Sequence, residues 1–278
     1  MTASVRDFYD GLAADYHLVY GDRWDDAVAH QGAVLDRLIR ELHLGAADIL
    51  DCSCGIGTQA IGLALRGHRV HGTDISERSL ERARAEAARL GADLSFAVAD
   101  FRDLASVAGT FDVVISCDNA LPHLLEEAEI ERALRAMRSK LRSGGLLVAS
   151  IRDYDNERPP APPPYVVDGP PRRLVVRMHD WDAPDSALYT VRFFFITETD
   201  GEWELTHHGA RYRALPRAEL EAAAADAGFD DIVWRDADDV GYHQPLLTAR
   251  AWGPQAGTRV ERSDSQAARR SGGNAGLK

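Results

Sequence analysis

Cysteine is scarce in this sequence: Cys52, Cys54 and Cys117 are the three in 278 residues, and none stands in CxxC spacing. That excludes a disulfide framework or a zinc cage and leaves buried thiols as the expectation. Positive charge is also in deficit, with 32 Lys and Arg against 44 Asp and Glu for a formal net charge of −12. Binding a phosphate backbone needs a surplus of cations, so a nucleic-acid partner is not expected, and small uncharged or cationic ligands are easier to accept. No run approaches the roughly 18 apolar residues of a membrane span, and the first sixteen residues lack the apolar core of a secretory signal. A cytoplasmic protein with no membrane partner is expected. What the chain does have is 45% apolar or aromatic residues, enough for a sizeable core.

Two composition breaks divide it. From residue 253 onward Gly, Ser, Ala, Gln and Arg dominate and only Val260 and Leu277 are large and apolar, too little burial to offset chain entropy. Residues 253–278 are therefore expected to be disordered. Seven of the twelve prolines fall within residues 157–173, which reads as a stiff extended loop. Between the breaks the pattern alternates. Val28, Gln31, Leu35, Leu38 and Leu42 form a stripe of helical period, and short β-prone runs at 49–52, 68–73, 94–99, 111–117 and 146–151 are separated by helical segments at 58–66, 77–90 and 127–141. Ser76 reads as an N-cap and Gly91 as a stop. This is the pattern of parallel βαβ units. After the prolines, β-rich runs at 174–179, 188–197 and 202–212, with Asp200-Gly201 as a hairpin turn, predict an antiparallel flap. A helix opened by Pro216 and two last strands near 232–234 and 246–252 complete a seven-stranded sheet.

The expected fold class is therefore α/β, a Rossmann-like seven-stranded sheet with an antiparallel flap inserted after the fifth strand. Its parts are a helical lid at 1–44, a sheet domain at 45–157 and 214–252, the proline loop and flap at 158–213, and the tail.

The segment from Asp51 through Cys52, Ser53, Cys54, Gly55, Ile56 and Gly57 to Ala60 places a glycine turn between a strand and a helix, where a ligand meets bare backbone and a positive helix start. Read from Gly55 it is GxGxxA, and Asp74 follows 19 residues later, placed to accept ribose hydroxyls. That alone fits NAD. Asp51 discriminates, because a pyrophosphate brought to this turn would be repelled by it, whereas the ammonium and sulfonium of S-adenosylmethionine would be attracted.

Here the chain resembles the class I S-adenosylmethionine-dependent methyltransferases, whose first motif, acidic-x-Gly-x-Gly-x-Gly, reads Asp51-x-Ser53-x-Gly55-x-Gly57. Serine stands for the first glycine. The resemblance implies that Asp74, with Ile75 beside it, binds the ribose, that Asp100 and Phe101 meet the adenine, and that Leu141 to Gly145 form the turn before the fifth strand. A narrower resemblance, to glycine/sarcosine N-methyltransferases, lies in Phe8-Tyr9-Asp10 through Tyr20, in Cys117-Asp118-Asn119-Ala120-Leu121-Pro122-His123-Leu124, and in Ile151-Arg152-Asp153-Tyr154-Asp155. It implies that Cys117, Asn119 and His123 border the methionine moiety and the acceptor, that Arg152 binds the acceptor's carboxylate, and that a lid carrying Tyr9, Tyr20 and Trp24 covers the donor. Tyr20 and His123 are the candidates for assisting proton removal. His30 or Arg23 stands nearest the position of the arginine that would hold the donor's carboxylate, and Tyr212 and Tyr242 are further acceptor-side candidates.

Local readings compete with several of these. Tyr9, Tyr16 and Tyr20 also make one stripe of a helix, Arg152 also has Asp153 and Asp155 to pair with, and Asp74 and Asp100 also suit a helix cap and a turn. Three rival functions stand beside methyl transfer to an amino-acid-like amine: methyl transfer to another small amine or hydroxyl, an NAD-dependent oxidoreductase, and a module that binds adenosylmethionine without catalysis. His179, Asp180, Asp182, His207 and His208 have no metal-binding spacing, so no metal is expected. A small-molecule acceptor is the expected partner, and self-association is left open.

Overall fold

The structure is a computed structural model that describes residues 4–43, 45–155, 158 and 160–253. The tail expected to be disordered lies, from residue 254 on, outside the described residues. Two helices precede the sheet. Helix α1 (Val5–Leu12) starts on a capping box in which the Ser4 hydroxyl accepts the Asp7 N–H and the Asp7 carboxylate reaches back to the Ser4 backbone. A 3₁₀ turn, Tyr16–Tyr20, separates it from α2 (Trp24–His43). The three tyrosines thus do not lie on one helix; the chain bends between Leu12 and Tyr16, yet the Tyr9 and Tyr16 rings still meet at 5.8 Å.

The sheet alternates with helices as the pattern predicts: β1 (Asp48–Asp51), α3 (Thr58–Ala64), β2 (Arg69–Asp74), α4 (Glu77–Leu90), β3 (Ser95–Val98), β4 (Phe111–Ser116), α5 (Glu127–Ser139) and β5 (Leu141–Ser150). Ser76 caps α4 by accepting the Ser79 N–H at 3.0 Å, and Gly91 ends it in the left-handed conformation. The glycine turn expected before the fifth strand is instead an irregularity inside β5, with Gly144 at φ 77°. The chain closes with α6 (Arg217–Asp226), β10 (Asp230–Arg235), α7 (Ala237–Val240) and β11 (Leu246–Ala251). The order across the sheet is β10-β11-β5-β4-β1-β2-β3, with β11 antiparallel to both neighbours and the rest parallel. Buried Ile49, Leu50, Val113, Val114, Leu147 and Val148 pack its two faces against the helices. The strand order reverses between β1 and β4, so their carboxyl ends open a crevice.

The flap is a four-stranded antiparallel sheet in the order β6-β7-β8-β9, made of β6 (Tyr165–Val167), β7 (Arg172–Trp181), β8 (Leu188–Thr199) and β9 (Glu202–Arg213). It has one strand more than the pattern predicts, because β6 lies inside the proline-rich stretch that reads as loop. Asp200 and Gly201, at φ 52° and 84°, make the expected hairpin turn. The flap's inner face, Val175, Tyr189, Val191, Phe193, Phe195, Ala210 and Tyr212, forms one apolar cluster with Phe8 and Leu12 of α1 and with Leu18. Among the described residues no helix is long and apolar enough to cross a membrane.

Candidate active site

Two adjoining cavities occupy the crevice between sheet and flap. The inner one is lined by Ser53 and Gly55 of the glycine turn, Asp74 and Ile75 after β2, Asp100 and Phe101 after β3, Cys117 and Asp118 after β4, His123, and Tyr9 and Tyr16 from above. The outer one, about 330 Å³, is lined among others by Tyr20, Asp118, Arg152, Arg177, Tyr212 and His243. Tyr9, Tyr16 and Asp118 line both, so the cavities meet at these three side chains.

The turn is built around Asp74. Its Oδ2 accepts the Gly55 N–H and its Oδ1 the Ser76 N–H, both at 2.9 Å, so the carboxyl ties β2 to the loop after β1 while its remaining lone pairs face the cavity. Burial pushes its pKa up, partly offset by the N–H groups of Ser76, Gly55 and Ile75. Gly57 opens α3 at φ 92°, where a β-carbon would stand 2.8 Å from the Ile61 side chain. Asp100 accepts from the Arg102 backbone N–H and guanidinium. Burial opposes its ionisation, but Arg102 outweighs burial and holds the carboxyl below the usual range. Asp74 and Asp100 therefore serve the turn and the helix start and also line the cavity.

Asp51 departs from expectation. It does not line the cavity but sits behind the loop, 1% exposed, with Oδ1 accepting the Ser53 N–H at 3.3 Å and Oδ2 buried without a hydrogen-bond partner. Burial, reinforced by Asp74 and Asp118, pushes its pKa up to about 8. Any attraction it exerts on a bound cation acts through the field, and the cation's charge in turn promotes its ionisation.

At the end of β4, Asp118 and Asn119 adopt left-handed backbone conformations, φ 61° and 67°. Two such residues in succession are costly and are held by contacts: the Asp118 N–H donates to Ser150 Oγ at 2.8 Å and the Asn119 N–H to the Ser150 carbonyl. The turn points the Asp118 carboxylate at the junction of the cavities, where it accepts from the Tyr20 hydroxyl (2.8 Å), Gln59 (3.2 Å) and His243. Burial alone would raise its pKa, but His243 above all, then Tyr20 and Gln59, bring it below the usual carboxylate range. Asn119 stays behind the wall: its Oδ1 accepts from the Arg152 N–H (2.9 Å) and the Tyr154 hydroxyl (3.0 Å), so it sets where Arg152 begins.

Arg152 does not brace the loop through Asp153 or Asp155, which pair with Arg217. It extends into the outer cavity, donates to the Tyr189 hydroxyl at 2.9 Å and lies over the Tyr212 ring. His123 is a correction. Its Nε2 accepts from the Tyr9 hydroxyl at 2.8 Å, Nδ1 faces the Arg211 carbonyl at 3.3 Å, and burial lowers its pKa to about 3. A neutral imidazole with its accepting nitrogen taken holds Tyr9 in place rather than receiving a proton. The Tyr20 hydroxyl is also no base, since burial and Asp118 push its pKa well up.

Four other expected residues fall elsewhere. Trp24 is buried beneath the loop, its indole N–H on Thr58 Oγ1 at 3.2 Å. His30 contacts the Gly241 carbonyl at 3.0 Å, and with Arg23 it borders an outer groove rather than the crevice. Tyr242 turns inward to Gln31 and Gln59, and its neighbour His243 reaches the outer cavity instead. Sequence reasoning passed over four contributors: Tyr16, Asp118, Arg177 and His243. Asp118 and Tyr16 lay within stretches already singled out; Arg177 and His243 carried no local signal.

The family profile described as methyltransferase domain matches residues 49–145, the stretch from β1 into β5 that supplies every wall of the inner cavity except Val5 and the tyrosine roof. That stretch has the pattern of a methyltransferase domain. The glycine/sarcosine N-methyltransferase of Parasynechococcus marenigrum is 33% identical over 159 residues, 55% of this chain and 55% of that protein. The chain spans about half the length of such curated relatives. Among solved structures, the sugar N-methyltransferase KedS8 from Streptoalloteichus superposes with a TM-score of 0.73 at 20% identity, over 86% of this chain and 93% of that one. SAM-bound CalS10, an amino pentose methyltransferase from Micromonospora echinaspora, gives 0.67 at 21% identity, over 81% and 91%. The acidic inner cavity, with Asp74, Asp100 and Asp118 on its walls, Arg102 paired with Asp100 and Asp51 behind, suits a positively charged nucleoside.

Proposed function

We propose that the protein transfers a methyl group from S-adenosylmethionine to the amine of a small amino-acid-like acceptor of the glycine or sarcosine type. The observation that carries this reading is Arg152. It is a guanidinium in the outer cavity with no carboxylate of its own among the described residues, beside the junction where donor and acceptor cavities meet. A planar fork of donors fits a carboxylate and fixes its orientation.

Asp74, Ile75, Asp100 and Phe101 would hold the adenosine, and the donor would supply a methyl group bound to a positively charged sulfur. What the chain must add is alignment, exclusion of water, and a neutral amine. The aromatic roof of Tyr9 and Tyr16 supplies the exclusion. For the proton, the Asp118–His243 pair is the arrangement at the outer cavity, the imidazole Nε2 being hydrogen-bonded to the Asp118 carboxylate.

The test is methyl transfer from labelled donor to glycine, sarcosine and dimethylglycine against a panel of larger amines. Arg152→Met is expected to raise KM for a carboxylate acceptor about 100-fold while the dissociation constant of adenosylhomocysteine stays within twofold. Equal KM values would remove the assignment. A second reading, a bulkier amine such as an amino sugar, draws on the outer cavity's volume of about 330 Å³, which is generous for glycine, and on the sugar-modifying structures of the same fold. The same panel separates the two.

Asp51 gives a pH test of the donor. Its carboxyl, with a pKa of about 8 in the free protein, is largely protonated at pH 7. A cationic donor favours the ionised form, so binding at pH 7 should release protons and affinity should rise from pH 6 to about 8 and then level. Titration calorimetry in buffers of different ionisation enthalpy reads the release, and Asp51→Asn should abolish it. The stability sign is opposite: because folding raises this pKa, its stabilising effect is complete below the unfolded value near 4 and is lost as pH rises through about 8.

A further inference from the structure

The outer cavity holds a second guanidinium that the proposed reaction leaves unused. Arg177 lies on β7 between Val175 and His179, on the inner and otherwise mainly apolar face of the flap, opposite Phe193 of β8. Its guanidinium carbon stands 5.2 Å from the centre of the Phe193 ring. Its Nε is buried and has no hydrogen-bond partner. The charged and titratable groups that act on it are Arg152, Tyr165, Tyr16 and Tyr212, with no carboxylate among them. Burial lowers its pKa and Arg152 lowers it further, so the site is unfavourable to the charge that an arginine side chain keeps.

An uncompensated guanidinium facing another across a half-closed cavity destabilises the fold on its own account. Among the described residues the one acidic side chain lining the cavity, Asp118, is already held by His243, Tyr20 and Gln59. Among the described residues no free carboxylate supplies the counter-charge, and a reaction between an amino-acid donor and an amino-acid-like acceptor brings more than one carboxylate to this crevice.

We propose that Arg177 is a second carboxylate-binding residue of the crevice, additional to Arg152. The chemistry has two sources: the methionyl carboxylate of the donor, whose expected holders His30 and Arg23 lie outside the crevice, or a second carboxylate on the acceptor. The proposal rests on the reading of the domain as a methyltransferase for the identity of these ligands, though the residue's role is measured without turnover.

Arg177→Met and Arg177→Lys in the full chain are titrated calorimetrically with adenosylhomocysteine and with 5′-methylthioadenosine, which keeps the adenosine and the thioether but has no amino-acid end. If the donor is the source, Arg177→Met weakens adenosylhomocysteine tenfold to a hundredfold, leaves methylthioadenosine unchanged, and lysine restores part of the loss. If the acceptor is the source, both nucleosides bind as in the wild type, and the preference of the wild-type protein for malonate over acetate disappears in Arg177→Met. Equal binding of all four probes to wild type and variants overturns the proposal and leaves Arg177 a packing partner of Phe193, as does an equal loss of both nucleosides. If the methionine variant does not fold, the lysine variant, which keeps the charge but not the fork, carries the same comparisons with smaller changes. Should adenosylhomocysteine fail to bind the wild type, the proposed function falls, while the malonate and acetate arm still decides the role of Arg177.

Discussion

Asp74→Ala is expected to weaken adenosylhomocysteine binding by about 100-fold, because two hydrogen bonds from ribose hydroxyls to a carboxylate contribute about 1.5 kcal/mol or more each in a buried site. The same carboxyl receives the Gly55 and Ser76 N–H groups, so alanine also strips the glycine turn of its tether. Asp74→Asn separates the two effects. The amide oxygen can still accept from one backbone N–H, and the turn should hold its shape while the ribose contact weakens. Binding is read by calorimetry and the integrity of the turn by the melting temperature. A donor affinity untouched in the alanine variant would mean that the nucleoside lies elsewhere.

The largest effect on stability is expected at Gly62→Ala. Helices α2 and α3 cross so closely that a β-carbon on Gly62 would stand 2.5 Å from the Val28 carbonyl oxygen and 2.9 Å from the Gly32 α-carbon. The obstacle is backbone on both sides, so no side chain can swing away and the helices must part. A cost of about 3 kcal/mol is expected, lowering the melting temperature by roughly 6–12 °C for a domain of this size. Gly67→Ala is the control: it has positive φ, 85°, but nothing within 4 Å of the added carbon, so it should lose only about 1 kcal/mol of backbone strain. Comparable losses at both sites would show that backbone conformation, and not helix contact, sets the penalty. Because α3 begins at the glycine turn and α2 carries Gln31, which meets Gln59, the Gly62 variant should also bind donor more weakly.

What the sequence made legible is what lies close along the chain. The strand, glycine turn and helix from Asp51 to Ala60, the acid at the end of β2, and the caps at Ser76 and Gly91 are each local, and each is where the spacing put it. The seven strands of the main sheet and three of the flap's four followed from alternation and turn residues, while their order across the sheet did not. Residues whose role depends on a distant partner were harder. Tyr242 and His243 differ by one position, yet Gly241, at φ 73°, turns the chain so that the tyrosine enters the interior and the histidine faces the crevice. Trp24 and His30 were placed by resemblance in a segment of uncertain register, and helix geometry sent one beneath the loop and the other outward. Arg177 gave no signal, because a charged residue in a β-rich run is read as solvent-facing and only the pairing of β7 with β8 turns it inward. The proline-rich stretch concealed β6 because prolines outweighed the three strand residues among them.

Among the described residues the apolar side of the first helix packs on the flap and on the 3₁₀ turn. Phe8 and Leu12 are spent on the flap's inner face, and Tyr9 bonds His123 while facing the Tyr212 hydroxyl at 3.4 Å. A segment fastened in this way cannot hinge alone without stripping the β-rich layer of part of its greasy underside. On the proposed reading, admission of nucleoside and departure of methylated product would share one mechanical event, and trimming the chain before Leu12 should loosen the grip on both molecules at once.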